Sequence, residues 1–251
     1  PEIAGAGFPS SIVLDGEIVA FDDRGNPSFE RLQGAARRRV ETSLVVFDVL
    51  HDGGSLIDTP LTHRLERLES LQLPPNCTTP ERFIGDPTSL WEFVAHRRLE
   101  GIVAKRLDSV YRPGTRSSDW RKIGHWNQVR AVVGGFTPGT GGRMSTFGAL
   151  LLGLWTGAGL RWVGSVGSGF DDDALQAIRS ALDEMTIPER PFLADPGLPS
   201  AATWVSPQLV AVIRFKQWTS AGRLRAPSFR GFSDYPLHSV TWITEGPAHA
   251  E

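Results

Sequence analysis

The sequence predicts an α+β chain of two units: a mixed helix–strand half, then a small all-β half with one inserted helix. Three observations carry this. Up to about residue 124, β-branched runs alternate with amphipathic helical patterns. Beyond it, short strands recur at regular spacing between Gly-rich turns. A single helical pattern, from Asp171 to about Met185, interrupts them. With 251 residues, 40% of them hydrophobic, the chain suffices for one large or two modest domains.

In chain order, residues 10–21 (SSIVLDGEIVAF) alternate around Asp15-Gly16 and read as a strand with a bend or bulge. Residues 43–50 (SLVVFDVL) form a β-branched run, so a buried strand. Leu61, Leu65, Leu68 and Leu71 repeat at helical spacing and predict an amphipathic helix over 61–73. Asp86-Pro87 reads as an N-cap with Pro at the first helical position, opening a helix that Gly101 closes. IVAKR then leaves it as a strand. After the change of texture, VRAVVGGFTP, FGALLLGLWT and LRWVGSVGSG are short strands. A helix and a Pro-rich crossing from Ile187 to Pro199 follow, then two more strands in WVSPQLVAVIRFKQWT and LHSVTWI. Short strands around one helix predict a small Greek-key barrel of the oligonucleotide-binding (OB) type. The expected units are 1–124 and 125–251, and the last few residues are expected to fray.

Composition excludes several classes. No apolar run approaches the roughly 20 residues of a membrane span, and no signal-peptide pattern is present. One cysteine, Cys77, permits no intramolecular disulfide and no cysteine-based zinc site, which points to a reducing cytoplasm. The six histidines show no metal spacing. The formal net charge is −2, so positive charge is local, at Arg37–Arg39, Arg112–Lys122 and Arg223–Arg230. The chain starts at Pro1 in mid-pattern, which predicts a piece of something longer. VGGFTPGTGG lacks the Lys-Ser/Thr of a phosphate-cradling loop, and no serine sits in a nucleophile elbow. The tryptophans, mostly in the second half, are expected to pack the barrel.

The stretch from Glu100 to Gly124 is the richest in chemistry. It holds Glu100, four arginines and Lys105 and Lys122, two of only three lysines in a chain with twenty-three arginines. A lysine kept against such a bias points to a need for a compact ammonium. Glu100 with two lysines supplies the inventory of a magnesium–nucleotide site, and a solvated basic loop is the alternative. Glu100 at a helix end opposes the helix dipole, which argues for a purpose beyond the helix. Asp15 and Glu17 share a strand face that could hold a hard cation or a ribose, or could simply lead into the acidic turn at Asp22-Asp23. Phe47 is either core or a stacking platform. Asp48, beside it on a buried strand, requires a partner.

LDGEIVAFD, VVFDVL, EGIVAKRLDSVYRPGTRSSDW-K and FKQWTSAGRLRAPSFRG, in that order, resemble ATP-dependent DNA ligases, specifically the ligase domain of bacterial non-homologous end-joining enzymes. The resemblance implies a partial nucleotidyltransferase (adenylation) domain followed by an OB domain. It implies ATP as AMP donor, Mg2+ or Mn2+, nicked or broken double-stranded DNA, and a bacterial cytoplasm. Ku and end-joining polymerase or nuclease domains are the partners the resemblance implies. Glu17 and Glu100 would hold the metal and Phe47 would stack on adenine. Lys105 closes the EGIVAK motif, and Lys122 would contact the AMP phosphate. Arg112, Arg116 and Trp120 belong to the matching loop, and Arg223 and Arg225 would meet phosphates of ATP or DNA.

Three departures accompany the match. The family's nucleophilic lysine lies in a K-x-D-G motif that this chain does not contain, and since Pro1-Glu2 resembles the segment following it, truncation is the simplest expectation. Gly124 stands where the second lysine of K-x-K is expected. Ser233–Pro236 stands where a terminal R-x-D-K is expected, without its Arg or Lys. Arginine cannot replace the attacking amine, because it stays protonated. The sequence therefore predicts a DNA ligase that does not adenylate itself as this chain stands. A non-catalytic DNA-end-binding module and an RNA ligase or capping nucleotidyltransferase are the alternatives.

Overall fold

The computed structural model describes residues 7–8, 11–23, 25–38, 40–97 and 99–247. Pro1-Glu2, Ser10, Arg39 of the basic triplet and the C-terminal 248–251 lie outside the described residues. The chain divides into two units, Pro1–His125 and Trp126–Glu251.

In the first unit, β1 (Ile12–Val19) runs antiparallel to β2 (Ser43–Asp52), which pairs in parallel with β3 (Cys77–Thr78). The irregularity expected at Asp15-Gly16 is present, but its extra residue is on the opposite strand. Asp15 pairs with Asp48 and Gly16 with Val46, so Phe47 has no partner and bulges. Gly16 allows the close approach, since a Cβ there would meet the Val45 carbonyl oxygen at 2.8 Å.

Helix α1 (Phe29–Arg38), not among the elements expected from the sequence, starts after Ser28, whose Oγ accepts from the Arg31 N–H at 3.3 Å. Helix α2 (Leu61–Glu69) stops four residues short of Leu73, yet Leu71 and Leu73 still pack on the small core of Val46, Val49 and Leu68.

Helix α3 (Pro87–His96) opens as predicted, with the Asp86 carboxylate accepting from the Thr88 N–H at 3.0 Å. It ends at His96 and not at Gly101. The chain leaves it through the Leu99 N–H to Val94 carbonyl bond, and Gly101 begins the next strand at φ +138°. Glu100 therefore opposes no helix dipole; it precedes a strand. That strand, β4 (Gly101–Lys105), pairs antiparallel with β5 (Trp120–Gly124) as a separate two-stranded sheet. Only glycine fits at 101, where a Cβ would lie 2.2 Å from the Ile123 carbonyl oxygen.

Asp48 finds its partner in Arg64 of α2, and both side chains are fully buried. Arg64 Nε and Nη2 donate to the two carboxylate oxygens at 2.8 and 2.9 Å. Its Nη1 donates to the carbonyls of Thr59 and Ser109, the latter at 3.2 Å.

The second unit is built on the long strand β6 (Asn127–Pro138), which pairs with β7 (Phe147–Thr156), β10 (Thr203–Val205) and β11 (Val210–Phe215). β7 pairs with β8 (Gly159–Val166), β10 with β9 (Thr186–Ile187), and β11 with β14 (Ser228–Ser233). Helix α4 (Asp172–Glu184) is capped by Asp171 and buries Leu175, Ile178 and Leu182. No ladder joins β8 to β14 among the described residues. The curl closes instead through Ser168, whose carbonyl accepts from the Phe229 N–H at 2.9 Å, and through the stacked Phe170–Phe229 rings.

The single strand expected in WVSPQLVAVIRFKQWT breaks into β10 and β11 at Pro207, which cannot donate to a ladder, and again before β12 (Gln217–Trp218), which leaves the β6–β11–β14 sheet to pair elsewhere. β12 turns back onto β13 (Leu224–Arg225). LHSVTWI is no strand: it forms a 3-10 turn (Leu237–Ser239) and the short helix α5 (Trp242–Glu245), boxed by Thr241 and Thr244. Trp155, Trp162, Trp204, Trp218 and Trp242 do pack against this core.

The buried pair yields a stability prediction. Asp48→Asn or Arg64→Met leaves a charge or its donors uncompensated in the interior, at an expected cost of about 3–5 kcal/mol. Urea titration followed by circular dichroism should show an earlier first transition; an unchanged midpoint would mean the pair is dispensable.

Candidate nucleotide site on the β4–β5 hairpin

The antiparallel register sets Lys105 opposite Trp120 and Val103 opposite Lys122. Paired and alternate residues share a face, so both lysines project from one side of the hairpin. Their surroundings differ sharply.

Lys105 Nζ lies 3.7 Å from the centre of the Trp120 ring and 4.5 Å from that of Phe47, and donates to the Phe47 carbonyl at 3.4 Å. The Phe47 bulge is what brings ring and carbonyl to the ammonium. Trp120 stands edge-on to Phe47 and to Tyr111, at 6.3 and 5.7 Å between centres. The Tyr111 hydroxyl donates to Asp15 at 2.6 Å. Burial pulls the Lys105 amine down to about 8, against the attraction of Asp48 and Asp15. The hydrogen bond to Asp15, assisted by burial, pushes the Tyr111 phenol up to about 12.

Lys122 is 67% exposed and lies 3.8 Å from Glu100, itself 47% exposed. Such a surface pair contributes on the order of 0–1 kcal/mol, so both groups can turn to a ligand cheaply. Beyond β4, Arg106 and Arg112 face Asp119 at 3.6 and 3.8 Å, and Arg116 is exposed on the same loop. The loop is anchored from below: the N–H groups of Leu61, Thr62 and Tyr111 donate to the carbonyls of Ser109, Leu107 and Ile57.

The structure thus joins Phe47, Lys105 and Trp120 in one cluster and Glu100 with Lys122 in another on the same hairpin. Glu17 lies exposed on β1, paired in register with Val45. No group of three or more metal-binding side chains gathers among the described residues. In the second unit Arg223 turns inward. Its guanidinium pairs with Asp195, donates to the Trp162 carbonyl and stacks on the Trp162 ring at 4.4 Å. Arg225 pairs with Gln217 on the β12–β13 turn. Tyr111 and Arg64 are the site-forming residues that motif reading missed, while Asp15, read as a candidate cation or ribose ligand, accepts from Tyr111. Arg64 was detectable as an arginine on the apolar stripe between Leu61 and Leu68.

A mixed sheet unit bearing an ammonium–aromatic cluster, followed by a curled antiparallel unit, defines a nucleotidyltransferase domain with a C-terminal OB-fold domain. Residues 2–123 match the family described as ATP dependent DNA ligase domain, and 143–234 the ATP dependent DNA ligase C terminal region. The multifunctional non-homologous end joining protein LigD of Mycolicibacterium smegmatis is 42% identical over 238 residues, covering 92% of this chain and 31% of that protein. The LigD protein of Pseudomonas aeruginosa is 36% identical over 252 residues, covering 95% and 30%. The chain spans about a third of the length of these relatives. The ligase domain of M. tuberculosis LigD, solved at 36% identity, covers 92% of this chain and 76% of that one, with a TM-score of 0.46. A solved Lig E DNA ligase, at 20% identity, covers 93% and 81% with a TM-score of 0.61, and supports the fold. The chain belongs to the ATP-dependent DNA ligases.

Native Lys105 releases its proton near 8, while an unfolded lysine holds one to about 10.5. The unfolded state therefore binds more protons between these values, and stability should rise with pH across that window. With only three lysines, NMR of a protein carrying 13C at lysine Cε should show one resonance titrating near pH 8, lost in Lys105→Met. Three resonances all titrating above pH 10 would refute the assignment.

Proposed function

We propose that this chain seals nicks in double-stranded DNA through an adenylated intermediate, in bacterial end-joining repair, and that it does not adenylate itself. The single observation that carries the reading is the pair of lysines on one hairpin face, one boxed by aromatic rings and one beside a carboxylate. Magnesium-bound nucleotide, when present, supplies neutralised phosphate oxygens and a good leaving group. The chain's part is positioning. Phe47 and Trp120 offer ring faces and edges for a base. Lys105, half-buried, puts a fixed positive charge beside them at neutral pH. Lys122 turns from Glu100 to donate to the phosphate, which leaves the Glu100 carboxylate for the divalent ion together with Glu17. Arg112 and Arg116 extend the cationic surface along a DNA strand. Ku and end-joining polymerase or nuclease domains are its expected company, in a bacterial cytoplasm.

No lysine here is followed by x-Asp-Gly. The sealing step needs no lysine nucleophile: the 3′-hydroxyl oxygen bonds to the 5′-phosphorus, AMP leaves with the broken bond's electrons, and the proton passes to solvent. A non-catalytic DNA-end-binding role draws on Tyr235, which stacks on Arg130 at 4.3 Å within the segment aligned to the terminal motif. RNA ligation or capping is the other contender.

Two assays separate these. Incubation with α-labelled ATP and Mg2+ should give no label surviving denaturation, and a labelled band would refute the first part. A pre-adenylated DNA nick should be sealed, with Lys122→Ala slowing it about 10²-fold, the usual cost of one lost phosphate-directed donor. Binding without sealing by folded protein would favour the end-binding role, and preference for nicked RNA the RNA-ligase reading.

A further inference from the structure

The register of the first sheet sets two like charges against each other. Asp15 of β1 stands directly opposite Asp48 of β2, so both carboxylates share one face of the ladder. Such a pair destabilises a sheet unless each member has a partner of its own. Arg64 takes Asp48, with two donors at 2.8 and 2.9 Å. Tyr111 takes Asp15, its hydroxyl donating to Oδ2 at 2.6 Å.

Lys105 is the third group drawn to these carboxylates. Both attract its ammonium, which instead lies over the Trp120 and Phe47 rings and donates to the Phe47 carbonyl at 3.4 Å. The phenol that stands between Asp15 and the rings is held from several sides. Its backbone N–H donates to the Ile57 carbonyl at 2.8 Å, and the Arg64 guanidinium lies 5.9 Å from its ring centre. The ring meets Trp120 edge-on at 5.7 Å and 83°, and Trp120 meets Phe47 edge-on at 73°. The indole is thereby fixed between two rings, with its face to Lys105.

We propose that Tyr111 is a positioning residue for sealing: its hydroxyl occupies Asp15, and Lys105 therefore stays on the Phe47–Trp120 rings. Tyrosine suits the task because it donates a hydrogen bond without bringing a charge. Its phenol is pushed up to about 12, so it remains a donor throughout the neutral range. Arginine or lysine at 111 would satisfy Asp15 but repel Lys105 and Arg64. Phenylalanine would pack against Trp120 but leave Asp15 free to draw the ammonium off the rings. The placement of Lys105 rests on this geometry alone; its use in sealing rests on the function proposed above.

The test uses full-length chain carrying 13C at lysine Cε, with the Lys105 resonance assigned by its loss in Lys105→Met. Protons held against an indole face are shifted upfield by the ring current. Tyr111→Phe should abolish that shift for Lys105. Tyr111→Phe/Asp15→Asn should restore it, because a neutral amide no longer attracts the ammonium. On a pre-adenylated nick, Tyr111→Phe should lower kcat about tenfold, the loss of roughly one hydrogen bond to a charged group, with KM unchanged. Thermal unfolding verifies the fold of each variant. If Tyr111→Phe does not fold, the double variant decides alone, and Lys105 off the rings there overturns the proposal. A wild-type shift in folded Tyr111→Phe overturns it, as does a shift lost equally in the double variant. A lost shift with unchanged kcat overturns the role in sealing. If the wild-type chain seals no nick, the sealing function fails, and the resonances still decide whether Tyr111 holds Lys105 in place.

Discussion

The buried Asp48–Arg64 pair joins three stretches of chain that are distant in sequence: the bulged strand β2, the start of α2 and the loop after β4. A fully buried guanidinium is tolerable only when nearly all its donors are met, and here they are met by a carboxylate and by the carbonyls of Thr59 and Ser109. Those carbonyls belong to the segments that must meet if the 106–119 loop is to lie against α2. Hydrophobic burial could not do this alone. Among described residues, the first unit's buried apolar side chains are only Ala20, Val46, Val49, Leu61, Leu68, Cys77 and Val94. A directional polar bolt compensates for a thin core, and it specifies geometry more tightly than apolar contact can.

The same carboxylate acts on the site chemistry. Asp48 and Asp15 both favour the Lys105 charge, while Arg64 and burial oppose it. The result is an ammonium held at the edge of neutrality over two rings. Asp15 has a second task, since its bond to Tyr111 fixes the phenol that backs Trp120. The structural bolt and the candidate site therefore share their charges, and a substitution in one shifts the other. Asp48, inside VVFDVL and next to Phe47, thereby serves both the buried pair and the charge of Lys105.

Local signals were legible wherever a single residue type decides the backbone. Asp86-Pro87 opened α3 as read, and the strand at 43–50 lies where β-branched residues put it. The errors arose where a distant partner decides. Gly101 reads as a helix stop, yet its positive φ serves the approach of β4 to Ile123, a residue more than twenty positions away. The run at 203–218 is apolar enough for one strand, but a proline divides it. Trp242 and Val240 look like strand residues until Thr241 and Thr244 close a capping box around them. The lysine-rich hairpin was visible as composition, while Tyr111 and Arg64 were not, because their partners come from β1 and β2.

The retained lysines show what composition could already say. In a chain that uses arginine almost everywhere, Lys105 and Lys216 lie 3.7 and 3.8 Å from tryptophan ring centres. The arginines over aromatic rings sit at 4.0 to 5.9 Å. A compact ammonium concentrates its charge on one atom and can approach a ring centre closely, whereas a guanidinium spreads its charge over a plane. Lys122, the third, instead sits exposed beside Glu100. Arginine at 105 would crowd the box formed by Phe47 and Trp120, and its fork would compete with Arg64 for Asp48. The bias against lysine is therefore informative position by position: two lysines stand where a small cation must fit against an indole, and the third stands where a mobile one can leave its carboxylate for a phosphate.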